Sequence, residues 1–147
     1  MTSTASTGRH RAASLGGRTR VLVLVAAVAA AVVLNTLIST AAHALGASAD
    51  FTPLQPAAYI FLTVVGVIAG TAGWAVIRAR TRHPARVLRW VVPVVLAVSF
   101  VPDGGLLVLR TWPGTSGLAV GALVLMHVAV AAVTVSALVR ALPLSDR

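Results

Sequence analysis

The 147-residue sequence contains no cysteine, no lysine and no glutamate. The absence of cysteine excludes a thiol nucleophile, an iron–sulfur cluster, a thiolate zinc site and disulfide exchange within this chain. Acidic side chains are scarce as well, because three aspartates are the only carboxylates. The sequence has no paired catalytic carboxylates, no glycine-rich phosphate loop and no nucleophile elbow. We therefore expect neither an enzyme nor a bound cofactor.

Charge is also rare along the chain. Only 10% of the residues are charged and 58% are hydrophobic, whereas about 25% of the residues in ordinary globular domains are charged. The mean hydropathy is +0.93. The apolar residues occur in blocks of about 20 rather than in the short stripes of surface helices. These features predict one membrane domain, since a water-soluble fold of this length has no room to hide so much apolar surface.

The apolar blocks predict four membrane-spanning helices. We expect an all-α fold, an antiparallel bundle of four transmembrane helices. The first 20 residues are rich in serine, threonine, glycine and arginine, which predicts a disordered basic tail. Residues 143–147 form a second, short tail after Pro143 halts the last helix. The predicted spans cover about residues 21–42, 57–77, 88–103 and 118–140.

An arginine-rich run between the second and third spans, "RARTRHPARVLR", sets the predicted orientation. It contains five arginines and no acidic residue, and such segments mark the cytoplasmic face. With both termini on that face, every arginine except Arg110 is cytoplasmic. We expect a multi-pass protein of a bacterial plasma membrane whose partners are the lipid bilayer and anionic headgroups rather than nucleic acid. The topology determinants are Arg78, Arg80, Arg82, Arg86 and Arg89.

Two boundaries have more than one interpretation. Ala42-His43-Ala44 has the small-x-small form of a signal peptidase site, but the preceding apolar stretch exceeds the ~7–15 residues of a usual signal peptide and favours an uncleaved anchor. In the third span, Asp103 precedes two glycines and follows Pro102, a combination typical of turns. Either this helix ends near Asp103, or it kinks and continues to Leu109. Consecutive glycines are poor helix formers and favour the first interpretation.

Small and aromatic residues predict how the helices pack. Gly66, Gly70 and Gly73 form a ridge along the second span, and Gly121 lies among alanines in the fourth, so we expect close helix packing at these positions. The same ridge is a candidate contact for a homo-oligomer or a membrane partner protein. Tyr59 and Trp74 lie near opposite ends of the second span, where aromatic side chains line the membrane interfaces.

A few polar side chains fall at similar depths in the outer half of the predicted bundle. An aspartate in hydrocarbon costs about 2.5–3.5 kcal/mol, so these groups should face inward and satisfy one another. We expect Asp103 to pair with His127, with Asn35 nearby, unless the third helix ends at Asp103 and leaves it hydrated. The pair is interpreted either as a polar clasp that sets helix register or as a proton-relay or ligand site. The predicted cluster comprises Asn35, Thr63, Ser99, Asp103 and His127.

The other histidines do not add a metal site to this cluster. His10 and His83 belong to predicted cytoplasmic segments and His43 to an outer loop, so no two histidines share helical spacing. We expect no bound metal.

Several short motifs resemble a known family. They are Asn35, "PLQPAAY" at 53–59, Gly70 with Gly73-Trp74, "SFVPD" at 99–103 and "MHVAVA" at 126–131. Over about residues 20–143 the chain resembles uncharacterised four-helix membrane proteins of GC-rich bacteria, a domain of unknown function. The resemblance implies a fold but no activity. We interpret the protein as structural or accessory, with a small transporter or proton-coupled channel using Asp103 and His127 as the alternative.

Overall fold

The computed structural model describes residues 16–110 and 112–144. These residues form four α-helices and one short 3-10 turn, without a β-strand. All four helices are long and apolar enough to cross a membrane. The predicted all-α class with four such helices is therefore confirmed. The elements are α1 (Gly17–Ala44), the 3-10 turn (Thr52–Leu54), α2 (Pro56–Arg80), α3 (Pro84–Leu109) and α4 (Gly117–Ala141).

The first helix begins earlier than the sequence predicted. α1 starts at Gly17, so Arg18 and Arg20 are helical, and the expectation of a disordered segment through residue 20 is wrong for these residues. Arginine is a good helix former. Once an apolar helix is nucleated, extending it by one more turn costs little free energy. Residues 1–15 of the predicted amino-terminal tail and 145–147 of the predicted carboxyl-terminal tail lie outside the described residues.

The arginine-rich segment is mostly helical. Only residues 81–83 separate α2 from α3. Arg78 and Arg80 lie in the last turn of α2, where positive charge interacts favourably with the helix dipole. α3 starts at Pro84, and proline suits the first turn because its missing N–H would have had no partner there. Five arginines are thereby held in a compact region at one end of the bundle.

The third helix does not end at Asp103. α3 continues through Gly104 and Gly105 to Leu109 and stops at Arg110, which has a left-handed conformation with φ 45°. Turn propensities describe chains in water, where a broken helix can hydrogen-bond to solvent. In hydrocarbon each unpaired backbone group costs several kcal/mol, so the helix continues despite Pro102 and the two glycines. The prediction that favoured an end near Asp103 was wrong, and Asp103 lies inside the helix.

The fourth helix is the centre of the bundle. It contacts α1, α2 and α3, and its interface with α1 is the most extensive in the protein. α4 also buries more side chains than any other helix. Its first turn is capped by Ser116, whose side chain accepts a hydrogen bond from the backbone N–H of Ala119. By contrast, α2 and α3 contact each other only sparsely, which leaves a gap between them.

Two buried clusters close the ends of the bundle. At one end, the segment between α1 and α2 folds inward and places Phe51 and Leu54 against α4, both fully buried. At the other end, Trp74, Leu88 and Leu138 join α2, α3 and α4. Tyr59 and Trp74 were expected at the membrane interfaces, but both are buried, at 6% and 4% exposure. They do lie toward opposite ends of α2, but neither faces outward as a belt residue would, because position along a helix gives depth and not the face on which a side chain lies.

Candidate functional site

Asp103 of α3 and His127 of α4 lie side by side within the bundle. Asp103 Oδ2 is 3.1 Å from His127 Nδ1, and the carboxylate is buried. The same Nδ1 lies 2.9 Å from the carbonyl oxygen of Leu123. A carbonyl only accepts, so Nδ1 carries a proton and donates it there, which leaves Nε2 as an acceptor in the neutral ring. Phe100 packs its edge against this imidazole, with ring centroids 6.3 Å apart.

The contact between Asp103 and His127 is electrostatic more than it is a hydrogen bond. Although the two atoms are 3.1 Å apart, Asp103 Oδ2 makes no well-aligned hydrogen bond with any described residue. The Nδ1 proton is directed instead to the carbonyl of Leu123. The imidazole therefore donates its proton within α4 and lies beside the α3 carboxylate without a hydrogen bond to it.

A second polar contact joins α1 to α2. Asn35 Nδ2 donates to Thr63 Oγ1 over 2.8 Å, and Thr63 Oγ1 in turn donates to the carbonyl of Tyr59 over 2.6 Å. Asn35 is only 2% exposed, and its Oδ1 has no hydrogen-bond partner among the described residues. The amide thus satisfies its donor and leaves its acceptor unpaired in the bundle interior.

The predicted polar cluster is divided between these two contacts. Asn35 pairs with Thr63, Asp103 lies beside His127, and no hydrogen bond joins the two pairs in the part of the chain that the structure describes. Ser99 donates to the carbonyl of Leu96 in its own helix over 2.6 Å. The five residues share one region of the bundle without forming one network.

Three polar contacts were not predicted from the sequence. Ser39 Oγ donates to the carbonyl of Leu54 over 2.8 Å, and the hydroxyls of Thr36 and Tyr59 lie 3.0 Å apart. Trp74 Nε1 donates to the carbonyl of Leu142 over 3.1 Å. Backbone carbonyls next to helix ends lack intrahelical donors, but which side chain reaches them depends on tertiary packing. The tryptophan N–H, which needs a partner when buried, was the available signal.

A cavity of about 530 Å³ lies between α2 and α3, with α4 along its third side. We call it the α2–α3 groove. Its walls are mostly aliphatic, and its outer rim includes the exposed side chains of Leu62, Val65 and Val95. The groove therefore opens sideways, toward the surface that faces lipid. Polar side chains on its walls are Asn35, Tyr59, Thr63, Trp74, Ser99, His127 and Thr134.

Two of the predicted packing glycines make close contacts within this chain. A Cβ added at Gly66 would lie 3.7 Å from Val130 Cγ1, and one at Gly70 would lie 3.4 Å from Thr134 Cγ2. These glycines let α2 approach α4, as small residues do in membrane bundles. The expectation was wrong for Gly73 and Gly121, where an added Cβ would have no neighbour within 4 Å. Gly73 lines the α2–α3 groove. The groove is wide at this position because glycine has no side chain to fill it.

The model of a family of unknown function, DUF6069, matches residues 15–143. The chain belongs to this family. The match includes all four helices and both polar contacts, so the predicted resemblance to a family of unknown function is confirmed, while the GC-rich bacterial source stays a prediction. Comparison with curated proteins and with solved structures finds no match. The DUF6069 match therefore covers the four-helix region of the chain and assigns no activity to it.

Proposed function

We propose that this chain is a structural or accessory protein of a bacterial plasma membrane. The four helices form an antiparallel bundle with both termini and residues 78–89 on the cytoplasmic side. The distribution of arginine supports this orientation, because Arg110 is the single arginine on the opposite side of such a bundle. The proposal assigns no catalytic activity, cofactor, metal or nucleic-acid partner to the chain.

The observation that carries the proposal is the chemistry of the α2–α3 groove. Its walls contain neither an arginine nor a carboxylate, and Asp103 is not among the lining residues. An ion that entered this space would lose its hydration without a compensating charge, at a cost of several kcal/mol. The polar groups are instead used between helices, where Asn35 binds Thr63 and Trp74 binds the carbonyl of Leu142. Such contacts hold the helices of this chain together and support a structural role.

Two surfaces are available for assembly with a membrane partner, the exposed glycine ridge of α2 and the aliphatic outside of the bundle. Gly66 and Gly70 approach Val130 and Thr134 of α4 on one side, but both glycines are exposed on the side that lines the α2–α3 groove. Many large aliphatic side chains on the outside of the bundle are exposed, among them Val98 and Val101 of α3 at 61% and 70%. A homo-oligomer or a partner protein would bind such a face.

The test is ion flux in reconstituted vesicles. We expect the parent protein, loaded into proteoliposomes with a pH-sensitive dye, to move protons no faster than protein-free vesicles under an imposed potential. Flux in the parent that disappears in Asp103→Asn and persists in Asp50→Asn, an exposed aspartate outside the helices, would overturn the proposal.

A second candidate function rests on the contact between Asp103 and His127. An intramembrane carboxylate beside an imidazole is the arrangement that proton relays use, and His127 also lines the groove. The candidate is a small proton-coupled transporter or channel. It requires flux in the parent and loss of flux in His127→Ala as well as in Asp103→Asn, so the same vesicles decide between the two functions.

A further inference from the structure

The end of the α2–α3 groove nearest the arginine-rich segment is bordered by charge. Ile77 of α2 and Leu88 of α3 line the groove there, and the next residues are Arg78 and Arg89. Residues 78–89 contain five arginines and no acidic residue. No carboxylate of the described residues lies within ion-pair distance of these arginines. An apolar groove thus ends at a concentration of positive charge that no carboxylate within residues 16–110 or 112–144 neutralises.

The groove itself suits a hydrocarbon chain better than water. A buried water needs two to four polar partners, whereas the walls near Ile77 and Leu88 are aliphatic, with Val91, Val92 and Val95 along α3. Protein interiors in contact with lipid are not left empty at this volume, because unfilled space forfeits dispersion contacts along its whole lining. The sideways opening at Val65 and Val95, which are 44% and 61% exposed, gives a chain a lateral path from the bilayer.

The charge at the groove end selects the headgroup. Guanidinium groups bind phosphate oxygens in bidentate geometry, and basic residues next to a membrane span attract anionic lipids. Arg89 is exposed, with its Cζ 6.0 Å from the ring centroid of Trp90. Arg89 lies in the first turns of α3, one residue beyond Leu88 of the groove, and with residues 78–89 at the cytoplasmic face it would lie near the lipid phosphates.

We propose that the α2–α3 groove is a binding site for an anionic phospholipid, with one acyl chain between α2 and α3 and the phosphate at Arg78 and Arg89. One leaflet is half of a ~30 Å hydrocarbon core, about ten helical residues. A chain that starts at Ile77 therefore passes Gly73 and Gly70 and ends before Asn35 and His127. The site is distinct from the polar contacts and does not rest on the proposed function.

Trp74 provides a reporter inside the groove. The chain has three tryptophans, and Trp74 lines the groove while being only 4% exposed. Replacing Trp90 and Trp112 by phenylalanine leaves Trp74 as the single tryptophan. Its quenching by lipids with brominated acyl chains then measures occupancy of the groove, because the bundle shields this indole from the surrounding bilayer.

The experiment compares brominated phosphatidylglycerol with brominated phosphatidylcholine in nanodiscs, each titrated into unbrominated phosphatidylcholine. We expect half-maximal quenching of Trp74 at a mole fraction of phosphatidylglycerol at least about fivefold lower than that of phosphatidylcholine. Each basic residue near an anionic headgroup contributes ~1 kcal/mol, which is about fivefold. Arg78→Gln and Arg89→Gln should each reduce the preference by about that factor, and Arg110→Gln should leave it unchanged.

Glycine variants test the acyl chain separately from the headgroup. A Cβ added at Gly73 or at Gly121 meets no neighbour within 4 Å, but only Gly73 lines the groove, so Gly73→Leu places its side chain in the groove and Gly121→Leu places it elsewhere. We expect Gly73→Leu to abolish preferential quenching, with Gly121→Leu as the matched control that retains it. Quenching is expressed relative to each variant in unbrominated lipid, so a direct effect of the new side chain on Trp74 cancels.

Three outcomes would overturn the proposal. They are equal quenching by the two lipids in the parent, a preference that survives in Gly73→Leu, and a preference that millimolar glycerol phosphate removes, which would indicate a site for a soluble phosphate. If Gly73→Leu does not insert, the arginine variants still decide, because Arg78 and Arg89 lie at the end of the bundle. His127→Ala, which tests proton movement, should leave the lipid preference intact, so the two proposals fail independently.

Discussion

The indole Nε1 of Trp74 donates a hydrogen bond to the carbonyl oxygen of Leu142, 3.1 Å away. Leu142 follows directly after the end of α4, where backbone carbonyls have no intrahelical donor. A buried tryptophan from α2 thus satisfies the last turn of the central helix. The contact joins residues 68 positions apart and fixes α2 against α4 beside the arginine-rich segment.

Replacing Trp74 by phenylalanine should destabilise the bundle. The variant loses this hydrogen bond, worth about 0.6 kcal/mol in membrane proteins, and part of a buried ring, so we expect a total loss of about 1–2 kcal/mol. The free energy of unfolding is measured by titration with dodecyl sulfate in mixed micelles. Trp90→Phe is the control, since Trp90 is 65% exposed and its loss should cost less than about 0.5 kcal/mol. Equal effects of the two substitutions would contradict the role of Trp74.

Gly70→Ile should overpack the interface between α2 and α4. A Cβ at this position already lies 3.4 Å from Thr134 Cγ2, and the γ atoms of isoleucine have no free space on that side. Overpacking of this kind costs about 1–3 kcal/mol. Gly121→Ile, whose Cβ meets no neighbour, should unfold at the same detergent fraction as the parent. A stability of Gly70→Ile equal to that of Gly121→Ile would show that α2 and α4 are not in close contact there.

The two polar contacts should be energetically independent. A double-mutant cycle between Asn35→Ala and Thr63→Val should give a coupling energy of about 0.6 kcal/mol, because these side chains share one hydrogen bond. The matched cycle between Asn35→Ala and Asp103→Asn should be additive within about 0.5 kcal/mol, since no hydrogen bond joins these residues. A larger coupling in the second cycle than in the first would mean that the polar residues act as one network.

The absence of cysteine makes the proposed orientation directly measurable. We expect an impermeant maleimide added to intact cells to label Ala49→Cys, which is exposed between α1 and α2, and to miss Arg82→Cys, which is exposed between α2 and α3. Labelling of Arg82→Cys after the cells are opened is the control for its reactivity. The reverse pattern would place the arginine-rich segment outside the cell.

The helices were predictable because length and apolarity alone determine which segments can cross hydrocarbon. The end of α3 was not, since Asp103, Gly104 and Gly105 form a turn signal in water, and the lipid environment overrides it by making unpaired backbone groups costly. The proximity of Asp103 to His127 could be expected from depth, because few groups can satisfy a buried carboxylate. The separation of Asn35 from that pair could not be expected, since the depth of a residue does not determine which helix faces contact each other.

The α2–α3 groove could not be predicted from the sequence, for a related reason. Gly70 and Gly73 are three residues apart and have the same chemistry, yet one contacts Thr134 and the other borders open space. That difference arises from how far α2 and α3 diverge around α4. A small-residue pattern predicts that a helix can come close, and only the tertiary arrangement decides where it does.

The position of α4 has a consequence for biosynthesis. It is the helix with the most extensive contacts to the three others, and the ribosome makes it after all of them. The three earlier helices therefore enter the bilayer before their shared partner exists, with Asp103 still lacking the imidazole beside it. Nascent chains interrupted before residue 117 lack most of the contacts between helices, and they should be degraded faster than chains that include α4.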